Sequence, residues 1–162
     1  MTKDVKADRP FPSYDRVCMD GIAIDSEAFN KGRNQFAIQS IQAAGEAPHK
    51  LDDEKNCIEI MTGAVMPKGT DAVIRYEDIE LSNGQATIQL ETVQKWQNVQ
   101  KTGIERPKKD ILLRAPQLIS PAQVAVLATA GMARVEVVDW PEIAIVSNGD
   151  ELVEIDQMPE DY

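Results

Sequence analysis

Residues 71–91 read DAVIRYEDIELSNGQATIQLE, and this stretch decides the fold class. Its first part, residues 72–76, is apolar and β-branched, as is typical of a strand. Asn83 and Gly84 then predict a tight hairpin turn, because both residue types tolerate a positive φ. Over residues 86–91 apolar and polar side chains alternate, which predicts a strand with one buried face. The stretch therefore predicts an antiparallel β-hairpin.

The segments before the hairpin extend the predicted sheet. Short β-prone or alternating runs predict strands over residues 21–25, 36–41 and 57–62. Residues 26–34 are polar and favour a loop or one helical turn. Residues 1–16 are polar and contain Pro-Phe-Pro, which favours an extended linker or an edge strand. The first two thirds of the chain therefore indicate a mainly β protein.

One segment, residues 120–131, reads strongly as a helix. Ser120 is a suitable N-cap, Pro121 suits the first helical position, and Gln123 completes a capping box. Val124, Leu127 and Ala128 form an apolar stripe at helical spacing, before a glycine that favours a stop. The sequence thus predicts one short helix after the β-rich region.

Two more strands are predicted after the helix, over residues 134–138 and 142–146, with a domain boundary at Trp140-Pro141. The second strand leads into a glycine turn with acids over residues 147–152. A strand that ends in this way is how an α/β domain opens its ligand site. An ordinary edge strand with a polar tail fits the same residues, and the pattern alone leaves both interpretations open.

Composition and charge limit the functions open to the chain. Its 162 residues carry 27 acidic and 17 basic side chains, a formal net charge of −10. Nucleic acid is therefore a poor candidate partner, because a phosphate backbone favours a basic face. Such acidity usually means a solvated surface, and the alternative is a site that handles anions through a carboxylate-bound divalent cation. The longest apolar stretch, about residues 124–132, is too short to span a bilayer.

The cysteines and the single histidine add little chemistry. Cys18 and Cys57 match no zinc spacing and favour two reduced thiols in a cytoplasmic protein. His49 is the only histidine and lies in a polar loop, so histidine-based catalysis or metal binding has little support.

Three short segments carry residues with possible chemical roles. Asp20, in Met-Asp-Gly, would bond the local backbone of a turn or would orient a cation or a water. Thr62 and Gly63 place a hydroxyl and a glycine at a strand end, where backbone N–H groups can face an anion. Asp150 and Glu151 offer two carboxylates on a sharp loop, suited to a hard cation such as Mg²⁺.

Taken in order, these segments resemble the motifs of one family. Residues 10–23 resemble its PF…MDGYA segment, and residues 60–73 resemble IMTGAPLPEGADAVV. Residues 98–105 are similar to NVRRRGED, and residues 143–152 resemble VAIISTGDEL. The resemblance runs over nearly the whole chain, and the family is molybdopterin molybdenumtransferase (MoeA), which includes the gephyrin E domain.

The resemblance implies a fold and a domain division. It implies irregular, coiled and bifurcated β-sheets with one short helix, followed by the first strand of a truncated α/β domain. Residues 1–12 and 114–140 would belong to a first, dimer-side domain, and residues 13–113 to a β-rich domain. Residues 141–162 would begin the α/β domain that binds molybdopterin, and residues beyond about 152 would lack the sheet they were built to join. Members of the family are longer at both ends, so we expect the chain to be a fragment.

The resemblance also implies a reaction. Such enzymes insert molybdate into adenylylated molybdopterin with Mg²⁺ and release AMP and molybdenum cofactor. They work as homodimers whose site is shared between subunits, and molybdopterin adenylyltransferase is a candidate partner. On this basis the chain supplies the β-rich half of a shared site and is inactive alone. Neither nucleic acid nor a membrane is an expected partner. The alternative function is a non-catalytic scaffold or dimerisation module of a gephyrin-like protein.

The same resemblance assigns roles to individual residues. The catalytic positions would be Asp20, Thr62 and Glu105, and the metal ligands would be Asp150 and Glu151. The substrate-binding positions would be Gly21, Gly63, Ala64, Ser147 and Gly149. Glu105 stands where the family usually has aspartate, and Arg16 lies in a segment that departs from the family's Asn-Ser-Ala.

Overall fold

Short strands account for most of the regular structure in the computed structural model, which describes residues 1–159. In chain order the elements are β1 Val5–Lys6, β2 Arg16–Val17, β3 Gly21–Ile24, α1 Ser26–Asn30, β4 Gln35–Gln42, β5 Asn56–Ile60, β6 Ala72–Arg75, β7 Ile79–Ser82, β8 Gln85–Ile88, β9 Val99–Gln100, β10 Ile111–Leu113 and α2 Pro121–Thr129. A 3₁₀ turn, Tyr76–Asp78, joins β6 to β7. The predicted mainly β fold with one short helix after the sheet is confirmed.

Six strands form the main sheet, in the order β6-β3-β5-β4-β8-β7. The pairing is antiparallel except between β4 and β5, which run parallel with a register shift between Ile38 and Ser40. Such irregularities bend a strand and increase its twist, so the sheet curls. Two small antiparallel pairs, β2 with β9 and β1 with β10, lie outside this sheet.

The turn predicted at Asn83-Gly84 joins β7 and β8 in a hairpin, whereas the strand predicted over residues 72–76 is β6, which lies at the opposite edge of the sheet. Asn83 and Gly84 adopt φ values of 52° and 75°, the conformation that a tight turn between two twisted strands requires. Beyond the turn, Ala86 and Ile88 are buried while Gln85 is exposed, as the alternation predicts. The hairpin joins the sheet through β8, which pairs with β4.

The main sheet separates two apolar clusters. The larger cluster contains Ile22, Ile24, Phe29, Phe36, Cys57, Ile74 and Ile88, among others. The smaller, on the opposite face, contains Val17, Ala23, Ile60, Ala64, Met66 and Val73. Burial raises the pKa of the Cys57 thiol to about 12, whereas Cys18 is exposed, and neither forms a disulfide. The alternation of neighbours such as Ile22 and Ala23 between the two clusters follows from the two-residue period of a strand.

Helix α2 begins as predicted, but it buries fewer residues than the predicted apolar stripe contains. The Ser120 backbone N–H donates to the Gln123 side-chain oxygen at 3.2 Å, one half of the predicted capping box. Leu127 and Ala130 are buried against Met1, Val5 and Leu113, whereas Val124 and Ala128 of the predicted stripe are exposed. The pair of short strands β1 and β10 offers too little surface to cover the whole stripe.

The strands predicted over residues 134–138 and 142–146 are not formed. Ile143, Ile145 and Val146 expose 78%, 91% and 84% of their surface, and no strand among the described residues pairs with this segment. A strand needs neighbours for its backbone hydrogen bonds, so an apolar pattern alone does not produce one. The predicted division into three domains stays a prediction, and residues 160–162 at the end of the third lie outside the described residues. Over residues 1–159, no helix has the length and apolarity that a membrane crossing needs.

We expect Gly21→Ala to destabilise the fold strongly. A Cβ at this position would lie 1.8 Å from the carbonyl oxygen of Ile74, so β6 would have to move away from β3. Forced overpacking of this kind costs about 3 kcal/mol. Urea unfolding followed by circular dichroism measures the change in the free energy of unfolding.

The matched control is Gly84→Ala. A Cβ there meets nothing within 4 Å, so only the strain of a positive φ remains, about 1 kcal/mol. Equal urea midpoints for the two variants would show that the approach of β6 to β3 is not as close as described.

Candidate functional site

Asp20 and Thr62, which the sequence singled out separately, meet at one end of the main sheet. Asp20 immediately precedes β3, and Thr62 follows the end of β5. Asp20 Oδ1 accepts a hydrogen bond from the Thr62 backbone N–H at 2.6 Å, across 42 residues of sequence. Both side chains are exposed, so this end of the sheet is open to a ligand.

The contact with Thr62 also lowers the pKa of Asp20. The Thr62 backbone N–H lowers the pKa of Asp20 most, the Thr62 hydroxyl lowers it further, and the little burial there is acts in the opposite direction. Asp20 is a carboxylate at neutral pH, as an ordinary aspartate is, and the contact keeps it ionised to lower pH. It can accept a proton, orient a water or bind a cation, but it cannot donate a proton.

Gly63 and Ala64 do not present free N–H groups to an anion. The Gly63 N–H donates to the Val17 carbonyl at 2.9 Å, and the Ala64 N–H donates to the Met61 carbonyl at 3.1 Å. Ala64 is completely buried, and Gly63 has a φ of 88°, which favours glycine in this turn. Any contribution of these residues to a ligand site therefore comes from the shape of the turn.

Glu105 lies in a separate polar network with Arg16 and Gln100. Its Oε1 accepts a hydrogen bond from Gln100 Nε2 at 2.6 Å and forms an ion pair with Arg16 at 3.6 Å. Arg16 also donates to the Gln100 side-chain oxygen. No hydrogen bond or ion pair among residues 1–159 joins Glu105 to Asp20 or Thr62. The network is linked to the Asp20 end of the sheet through β2, which contacts both β9 and the turn after Thr62, and through Asn98, whose carbonyl accepts a hydrogen bond from the Cys18 N–H at 3.0 Å.

The predicted site residues near the carboxyl end do not lie beside Asp20 and Thr62. Ser147, Gly149, Asp150 and Glu151 are all exposed, in a bend without regular structure. Over the described part of the chain, no group of three or more His, Cys, Asp or Glu side chains is placed to hold a metal. Asp150 and Glu151 match Mg²⁺ in donor type, since this ion commonly takes one or two carboxylates and completes its shell with water and phosphate oxygens.

The structure adds two residues that the sequence analysis missed, Tyr76 and Glu59. The Tyr76 hydroxyl donates to Glu59 Oε1 at 2.6 Å, and the Tyr76 backbone N–H donates to the Asp20 carbonyl at 3.2 Å. Burial first, and then the hydrogen bond to Glu59, raise the pKa of Tyr76 well above its usual range, so the phenol is always a donor. The sequence contained one signal for this contact. Glu59 lies between two isoleucines in a strand, and a carboxylate in such a place needs a hydrogen-bond partner.

The fold defines the class of the protein. Two crystal structures of the molybdopterin biosynthesis MoeA protein from Pyrococcus horikoshii share the fold, with TM-scores of 0.75 and 0.74 and sequence identities of 29% and 27%. They cover 81% and 80% of this chain, which in turn covers 34% and 35% of theirs. The chain thus has the mostly β, curled fold of the N-terminal part of such proteins. The family described as MoeA N-terminal region (domain I and II) matches residues 1–131, and the chain belongs to this family.

Curated relatives agree with this assignment. The molybdopterin molybdenumtransferase of Synechocystis sp. is 36% identical over 98% of this chain, and that of Staphylococcus aureus is 35% identical over 99%. The chain spans 41% and 39% of the length of these two relatives. The resemblance drawn from the motifs is confirmed.

We expect Thr62→Ala to leave most of the pKa lowering of Asp20 in place. The variant loses the hydroxyl but keeps the backbone N–H, which is the larger cause of the lowering. Titration of the Asp20 carboxyl carbon by NMR, in the wild type and in the variant, measures both values. A return in Thr62→Ala to the ordinary value of about 3.9 would contradict the assignment.

The sign of the accompanying stability effect follows from the same shift. Because the pKa of Asp20 is lowered by folding, the Thr62 contact stabilises the fold above the ordinary aspartate pKa. That contribution is lost as the pH falls through the lowered value.

Proposed function

We propose that this chain is the N-terminal part of a molybdopterin molybdenumtransferase. The whole enzyme inserts molybdate into adenylylated molybdopterin and releases AMP and molybdenum cofactor. The observation that carries the proposal is the exposed Asp20–Thr62 pair at the sheet end, in a chain that belongs to the MoeA N-terminal family. A charged carboxylate beside an exposed hydroxyl suits the handling of a polar, anionic reactant together with water.

In this proposal Asp20 and Thr62 are the catalytic pair. Asp20 orients a water or a cation, and Thr62 supplies a hydroxyl and fixes one oxygen of Asp20 through its N–H. Gly21, Gly63 and Ala64 give this end of the sheet its shape. Glu105, the third proposed catalytic position, contributes through Arg16 and Gln100, which it contacts directly.

The exposure of the pair supports a site that is shared between subunits. Both Asp20 and Thr62 face solvent, and the Ser147–Glu151 segment, which would bind the pterin and the metal, makes no contact with them. We propose that the pair serves the site of a second copy of the protein in a homodimer. Residues 1–12 with 114–140 form the dimer-side domain, residues 13–113 the β-rich domain, and residues 141–162 the start of the α/β domain.

Asp150 and Glu151 are the proposed ligands of Mg²⁺. When bound, Mg²⁺ would neutralise negative charge on the phosphate-bearing substrate. This chain's own contribution is the two carboxylates, with Ser147 and Gly149 beside them for substrate binding.

The proposed partners and compartment follow from charge and cysteine chemistry. Molybdopterin adenylyltransferase would deliver the adenylylated substrate, and the net charge of −10 argues against nucleic acid. The free thiols Cys18 and Cys57 favour the cytoplasm.

We expect Asp20→Asn and Thr62→Ala, in the full-length enzyme, to reduce molybdate-dependent cofactor formation about 10²-fold, since displaced catalytic groups lose about that much. Single-turnover release of AMP measures the rate. Thr62→Ser should restore most of it, because the hydroxyl is kept.

The matched control is Asp52→Asn. It makes the same chemical change at an exposed aspartate in the turn before β5, at the opposite end of that strand from Thr62. Unchanged rates in Asp20→Asn and Thr62→Ala would exclude the assigned roles, as would an equal loss in Asp52→Asn.

We also expect the 162-residue chain alone to show no turnover, because it holds only part of the shared site. Added to full-length enzyme that carries Asp20→Asn, it should not restore the rate unless it enters the dimer. Turnover by the isolated chain, measured by the same AMP release, would contradict the shared-site proposal.

A further inference from the structure

Tyr76 connects the three strands that converge at the Asp20–Thr62 pair. It follows β6, whose neighbour is β3, and β3 is in turn the neighbour of β5. From the end of β6 its side chain reaches past β3 to Glu59 on β5, while its backbone N–H bonds the Asp20 carbonyl. We propose that Tyr76 and Glu59 form a positioning pair that holds Asp20 against Thr62, an inference that rests on the proposed function for its catalytic meaning.

The register of the sheet explains why these side chains meet. Ile22 of β3 lies directly opposite Glu59 of β5 on one side and Ile74 of β6 on the other. Residues directly opposite each other point to the same face, so Glu59 shares a face with these two isoleucines. Tyr76 lies just beyond the end of β6 and its hydroxyl reaches Glu59 on that face, while Asp20 lies just before β3.

The apolar cluster on this face gives the pair its rigidity. Ile22, Ile74 and Cys57 are completely buried, and Glu59 and Tyr76 lie at the margin of the cluster, half-buried. Glu59 is three residues before Thr62, so a bond on Glu59 restrains the end of the strand that carries Thr62. Tyr76 therefore restrains both partners, Asp20 through the backbone and Thr62 through β5.

The hydrogen bonds give Glu59 and Asp20 different roles. Glu59 binds the Tyr76 hydroxyl, and Asp20 binds Thr62. The Tyr76 hydroxyl bonds to Glu59 and not to Asp20, so Tyr76 does not occupy an oxygen of Asp20. The phenol remains protonated over the working pH range, so the bond persists while a ligand binds. This arrangement gives positioning without occupying the reacting group.

Tyr76→Phe in the 162-residue chain tests the proposal without any activity assay. We expect about tenfold faster hydrogen exchange at the Thr62 amide and a rise of the Asp20 pKa towards its ordinary value, because a bond to a charged partner is lost. NMR measures both. Glu59→Gln keeps an acceptor and should change both readouts less, whereas Glu59→Leu should resemble Tyr76→Phe.

Tyr14→Phe is the matched control. The Tyr14 hydroxyl donates to the Gly63 carbonyl at 3.3 Å from an exposed position, so this variant makes the same chemical change beside the same turn without touching Asp20 or β5. The proposal is overturned if Tyr76→Phe leaves Thr62 exchange and the Asp20 pKa unchanged. It is also overturned if Tyr14→Phe alters them as much.

An activity measurement separates this inference from the proposed function. In the full-length enzyme we expect Tyr76→Phe to lower kcat about tenfold with little change in KM, with the acidic limb of the pH profile moving with the Asp20 pKa. Altered NMR readouts with an unchanged rate would leave Tyr76 a positioning residue of the Asp20–Thr62 contact and would remove the catalytic role of that contact. If Tyr76→Phe changes neither the exchange of the Thr62 amide nor the Asp20 pKa, Tyr76 has no positioning role, whatever the measured rate.

Discussion

The close approach of β6 to β3 at Gly21 is the constraint on which the arrangement of the site depends. Gly21 pairs with Arg75 on one side and Ile60 on the other, and there is no room for a side chain beside the Ile74 carbonyl. The residue before Gly21 is therefore brought between the ends of two neighbouring strands. Asp20, Thr62 and Tyr76 come together because one position lacks a Cβ.

Charge at this end of the sheet is arranged by backbone groups more than by counter-ions. The pKa of Asp20 is lowered chiefly by a peptide N–H, while Glu59 accepts a hydrogen bond from a neutral phenol. The basic side chains nearby are engaged elsewhere, Arg75 with Asp78 and Arg16 with Glu105. A chain with a net charge of −10 can thus keep an exposed carboxylate without a permanent cationic partner.

Local chemistry was predictable from the sequence, and long-range contact was not. The Asn83-Gly84 turn and the Ser120 cap were found because the responsible residues are adjacent in the chain. The strand over residues 142–146 was wrongly expected because its apolar pattern says nothing about whether a neighbour exists. The contact between Asp20 and Thr62 spans 42 residues and depends on the order of strands, which no local pattern encodes. Motif resemblance singled out both residues, but only the sheet register shows that they touch.

The two cysteines differ in exposure, and the exposed one provides a labelling position beside the candidate site. Cys57 is enclosed by the larger apolar cluster, and its thiol has a pKa of about 12, so almost none of it is thiolate at neutral pH. Cys18 is exposed and lies two residues before Asp20. A maleimide fluorophore would therefore attach beside the candidate site without engineering, and its emission would report on whatever approaches this end of the sheet.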